Sequence, residues 1–120
     1  MFKRYSGIVA ALLIAMASQV SAQSVYQGYC TGSFDGVPLQ GVFKVDYYPR
    51  SNTYNHHAVF RDQAGNRYDI EVISNQNGGV GGAWQNGARH REMKIEMRYS
   101  GKSLWIRELY GQSGGSFTCN

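Results

Sequence analysis

Three histidines, His56, His57 and His90, are the side chains best suited to proton transfer or metal ligation near neutral pH. His56 and His57 are adjacent in a segment that reads as a strand, so their rings point to opposite faces and cannot share one ion. A metal site would have to combine one of them with His90 and a carboxylate from elsewhere, at no recognisable spacing. Neither a metal nor a cofactor is therefore expected. Acid/base chemistry is the sharper possibility, because Tyr54, His56, Glu71, Arg89 and His90 would supply a base, an acid and an anion-steadying cation if one sheet face gathered them. Asp69 and Glu71, flanked by Arg67, read instead as a solvated ion-pair row. No serine sits in a nucleophile elbow. The glycines between Gly78 and Gly82 lack the lysine and hydroxyl of a phosphate loop and read as a flexible connection.

Recognition by contact is the other chemistry on offer. Tyr26, Tyr29, Tyr47, Tyr48, Tyr54, Tyr68, Tyr99 and Tyr110, with Trp84 and Trp105, exceed what one small core can bury with every polar tip satisfied, so some must be exposed. Tryptophan beside arginine is the pairing that anchors protein interfaces, which makes Trp84, Arg89, Trp105 and Arg107 the candidate binding residues.

Short strands are what would have to position these groups. Asp35-Gly36 follows a strand over Val25 to Phe34, and Pro49 to Asn52 follows one over Leu39 to Tyr48. Ala64-Gly65-Asn66 separates Tyr54 to Arg61 from Arg67 to Ile73. From Arg91 to Tyr99 the alternation is nearly perfect: Met93, Ile95, Met97 and Tyr99 share one face and Glu92, Lys94, Glu96 and Arg98 the other. Ser100 to Ser103 then turns the chain into Leu104 to Tyr110, and a last short strand holds Phe117 and Cys119. About seven strands joined by short turns predict an all-β fold, a small antiparallel barrel or barrel-like sandwich. Its interior is expected to be narrow and filled by side chains. Lys44, Asp46, Asp69, Glu71, Lys94, Glu96 and Arg98, opposite the apolar faces, argue against a lipid-facing barrel.

The compartment is read from the first 22 residues. Lys3 and Arg4 precede an apolar run from Ile8 to Ala17 that is too short to span a bilayer, and Val20-Ser21-Ala22 supplies the small residues of a bacterial-type cleavage site. Cleavage after Ala22 would leave a single β domain over residues 23–120 in the periplasm or the medium. Loss of Lys3 and Arg4 reduces 12 basic residues to 10 against 8 acidic ones, a net charge of +2. So slight an excess demands no nucleic-acid partner. An exported chain with Cys30 and Cys119 as its two cysteines is expected to join them. Bridged cysteines usually have Cα atoms about 4.4 to 6.8 Å apart, so the first and last strands must meet.

Two functions follow, and a third outcome, ligand binding in the barrel mouth, is opposed by the narrow, filled interior expected of so small a barrel. The first is an exported, non-catalytic binding domain that recognises a protein partner, in the manner of an envelope inhibitor or immunity protein. The second is a small secreted hydrolase. The types and order of Tyr54, His56, Glu71 and Arg89 resemble the arrangement in small exported ribonucleases of the microbial type, which implies RNA cleavage with His56, Glu71 and His90 as the catalytic groups. The sequence departs from that pattern in having no N-terminal helix and no histidine after His90.

Overall fold

The structure is a computed structural model that describes residues 22–74, 77–86 and 88–120, with the side chains of 88–92 set aside. The export signal expected over residues 1–22 lies, except for Ala22, outside the described residues. Eight antiparallel strands follow in chain order: β1 Gln23–Phe34, β2 Val37–Tyr48, β3 Thr53–Arg61, β4 Arg67–Ser74, β5 Gly78–Gln85, β6 Ala88–Ser100, β7 Ser103–Glu108 and β8 Gly114–Cys119. Each pairs with its neighbours in sequence, and β1 pairs with β8, so the meander is a closed barrel. Closure is the physical answer to exposed sheet edges.

Alternation sets the inside and the outside. Phe43 and Val45 of β2, Ala58 and Phe60 of β3, Val72 of β4, Ile95 and Met97 of β6 and Leu104 of β7 are all buried in one core. Lys94 and Arg98 are exposed on the opposite side of β6, as the sequence alternation requires. Cys30 and Cys119 are directly opposed in the β1–β8 ladder, with Cα atoms 4.0 Å apart, and form the expected disulfide. The loop closed by this bridge spans 89 residues, which in the chain-entropy account stabilises the fold by about 4 to 5 kcal/mol.

The glycine-rich stretch differs from its sequence reading. It is not a connection but strand β5, paired to β4 on one edge and to β6 on the other, which raises the strand number to eight. Its glycines are needed for close approach. A side chain at Gly81 would collide with the Glu71 carbonyl and with Val72 of the neighbouring strand.

The two ends of the barrel are built differently. At the end holding the chain terminus, Tyr26, Phe43 and Tyr99 form a ring cluster with centroids 5.1 to 5.9 Å apart, and Tyr47 packs on Tyr54 at 4.7 Å. Asn120 extends the ladder beyond β8: its amide nitrogen donates to the Tyr29 carbonyl at 3.1 Å, and its side-chain oxygen accepts from the Tyr29 amide at 2.9 Å. The Tyr26 hydroxyl donates to the Asn120 carbonyl at 2.5 Å, which ties the ring cluster to the β1–β8 seam. At the other end the hairpin tips form a rim. Asp35 and Gly36 both have positive φ, the signature of a tight hairpin turn. The Asp35 amide donates to the Gly114 carbonyl at 2.9 Å, and its carboxylate accepts from the Gly114 amide at 3.1 Å. Asp62 accepts from the amides of Ala64 and Asn66 at 3.0 Å each and from the Tyr68 hydroxyl at 2.9 Å.

Candidate functional site

His56 sits wholly inside the barrel, its ring stacked on Phe43 with centroids 6.4 Å apart and its Nδ1 3.3 Å from the Val72 carbonyl oxygen. The register explains its neighbours. His56 pairs with Val72, whereas His57 pairs with Glu71, so Glu71 lies on the outer face with His57 and on the far side of the sheet from His56. Glu71 is exposed and accepts a long hydrogen bond, 3.5 Å, from Asn55. A buried base and an outward carboxylate cannot converge on one phosphate. The side chains of Arg89 and His90 lie outside the described residues. Among the described residues no cluster of three or more His, Cys, Asp or Glu side chains forms a metal site, and no helix is long and apolar enough to cross a membrane.

The outer face of β6, β7 and β8 is where charge and aromatic surface meet. Trp105 stands 47% exposed on β7, opposite Arg98 of β6 and Ser116 of β8. Arg107, next on the same face of β7, is opposite Glu96 of β6 and Gly114 of β8. The small residues Ser116 and Gly114 leave that flank of Trp105 uncovered. Shallow depressions lie on both sides of its ring, one toward Gly78 and Ser100 and the other toward Gly114 and Gly115.

Glu96 organises the two cations. Its Oε1 accepts from Arg107 Nε at 2.8 Å, with Arg107 Nη2 at 2.7 Å, and its Oε2 accepts from Arg98 Nε at 3.3 Å. The hydrogen bond from Arg107 first, then the Arg107 charge and after it the hydrogen bond and charge of Arg98, hold the Glu96 carboxyl below its ordinary pKa against the opposing effect of desolvation. One carboxylate thus fixes two guanidinium groups beside an exposed indole, leaving most of each arginine in solvent.

Of the four binding candidates read from the sequence, the structure brings Trp105 and Arg107 together on this face. Trp84 is at the open end of the barrel, on β5 opposite Asp69 of β4, where it lines the mouth. Glu96 and Arg98 were missed as site residues, although a signal for them exists. The tight turn between Ser100 and Ser103 permits the β6–β7 register to be counted, and counting places Arg98 opposite Trp105 and Glu96 opposite Arg107.

The interior at the open end is the second departure from expectation. It is not filled by side chains: a cavity of about 310 Å³ opens at the rim. Ile95, Ile106, Phe117, Phe34, Leu39 and Met93 are among the residues that line it. The cause is again β5, whose inward positions paired with Ile95 and Met93 are Gly81 and Ala83 and bring almost no bulk to the axis.

Fold and surface together define a disulfide-stapled, eight-stranded up-and-down barrel with a rigid aromatic and arginine-bearing outer face. Compared with protein-family models, with curated proteins and with solved structures, the chain matches none.

Proposed function

We propose that the protein is an exported, non-catalytic binding domain that recognises a protein partner through the outer face of β6, β7 and β8, as an envelope inhibitor or immunity-type protein does. The observation that carries this reading is Trp105, nearly half exposed and beside two arginines that a single glutamate holds in place. A flexible aromatic loop would lose side-chain and backbone freedom on binding. A tryptophan on a paired strand of a closed barrel loses little, which lowers the cost of association. The arginines add directional hydrogen bonding, so the surface suits a partner that offers an apolar pocket rimmed by carboxylates. Export fits the disulfide, since such bonds persist in oxidising compartments.

The test is capture by tagged mature protein from an envelope extract, with Trp105→Ala alongside. A partner recovered stoichiometrically by the native protein should be lost or bound about 30-fold more weakly by the variant, equivalent to about 2 kcal/mol at an interface anchor. The thermal midpoint should hardly change, because Trp105 is outside the core. Undiminished capture by the variant would refute the assignment of this face.

A further inference from the structure

We propose that the open mouth of the barrel binds a neutral single-chain amphiphile, with its apolar tail inside the barrel and its polar head at the rim. The site is independent of the Trp105 face, and its shape sets the ligand class. Toward the barrel's middle Phe117, which lines the cavity, stacks on Phe60 with ring centroids 4.8 Å apart, and the Cys30–Cys119 bridge joins the first and last strands. A ligand entering from the rim would leave one end in solvent. The inner surface is apolar, formed by Ile70, Ile95, Ile106 and Phe117, so the buried end must be hydrocarbon. A volume of about 310 Å³ holds roughly ten heavy atoms if each takes the liquid volume of a water molecule, about 30 Å³. This is the size of a medium-length chain and too small for a long one.

The polar groups converge where a head group would lie. Asp35 and Gln85 are at the mouth, and the Tyr68 hydroxyl is turned to Asp62 on the rim. No cationic side chain is among the described residues lining the cavity. Among the described lining residues Asp35 is the one charged group and repels a carboxylate or phosphate head, whereas an alcohol or amide can donate to Asp35 and exchange hydrogen bonds with Gln85. The rim is also ready for a ligand. Backbone and side-chain hydrogen bonds tie Asp35 to Gly114, and Asn86 both to Asn66 and to the backbone of Arg67, so adjacent hairpin tips are held before anything enters.

Primary alcohols of increasing chain length, titrated into the whole mature protein and followed by methyl NMR, test the proposal. The methyl signals of Met93, Ile95 and Ile106 should shift, and affinity should rise about fourfold per methylene from hexanol to decanol, the increment expected for a buried CH₂. Hexadecanol should gain nothing further, and decanoate should bind more weakly than decanol. Ala83→Leu, which fills the cavity from β5, should abolish the shifts. Should that variant not fold, the length series on the native protein decides alone. Absence of decanol-induced shifts at these methyls, affinity that keeps climbing to hexadecanol, or tighter binding of decanoate than of decanol would each overturn the proposal.

Discussion

The two ends of this barrel obey the same strand alternation and reach opposite results. At the terminal end, β1, β2, β3 and β6 send Tyr26, Phe43, Tyr54 and Tyr99 inward or against the core, and Asn120 closes the seam. At the rim, β5 sends in Ala83 and the space stays open. Strand pairing determines where an inward side chain lies, but its volume determines whether the interior is solid or hollow. In a barrel of eight strands the margin is small, and one strand whose inward positions are glycine and alanine is enough to leave a cavity.

The comparison is broken most severely by truncating the packed end. Phe43→Ala removes a fully buried ring that touches Tyr26, Tyr99 and His56, and its expected cost is about 3 to 5 kcal/mol. Met93→Ala, on the cavity wall, should cost less than half as much because its side chain already borders empty space. Chemical denaturation of the two variants reads the difference directly. Equal losses would mean that the open end is packed as tightly as the closed one.

Removing the staple is expected to have the next largest effect. Cys30→Ser with Cys119→Ser should destabilise the domain by about 2 to 5 kcal/mol, measured by urea unfolding against the oxidised native protein. Native protein that carries two free thiols, shown by mass spectrometry, would contradict the bridge itself.

The rim supplies a smaller, pH-dependent test. The side-chain hydrogen bond from Asn66 first, with those from Tyr68 and from the Asn66 and Ala64 amides, lowers the Asp62 pKa against desolvation. A carboxyl whose folded pKa is depressed contributes stability that is present above its unfolded pKa and is lost as pH falls through the folded one. The thermal midpoint should therefore show an Asp62-dependent decline only on the acid side of the ordinary carboxylate range. In Asp62→Asn that part of the decline should disappear. An unchanged acid profile in the variant would show that the Asp62 turn does not support the rim.

Much of the fold could be read from the chain because its signals are local. The inward set Met93, Ile95, Met97 and Tyr99 is a period-two pattern, Asp35-Gly36 names its own turn, and two cysteines near the ends of the barrel sequence have one intramolecular way to pair. β5 escaped because glycine carries no side chain from which to read alternation, and its strand identity depends on the neighbours it approaches. The site was legible in part for a related reason. Trp105 and Arg107 share a face two residues apart, whereas the separation of His56 from Glu71 depends on the β3–β4 register. Asp62 and Asn66 fix that register through a five-residue turn whose length alone does not reveal which residue pairs with which.

The central claim is that the outer face of β6, β7 and β8 is the recognition surface. Amide chemical-shift mapping of the isotope-labelled protein over residues 23–120, with and without a partner captured as proposed above, tests that location most directly. The largest changes should cluster at Glu96 to Arg98, Trp105 to Arg107 and Ser116, with the Tyr29 and Val42 surface of β1 and β2 unaffected. Changes centred on β1 and β2, with Trp105 silent, would contradict the account.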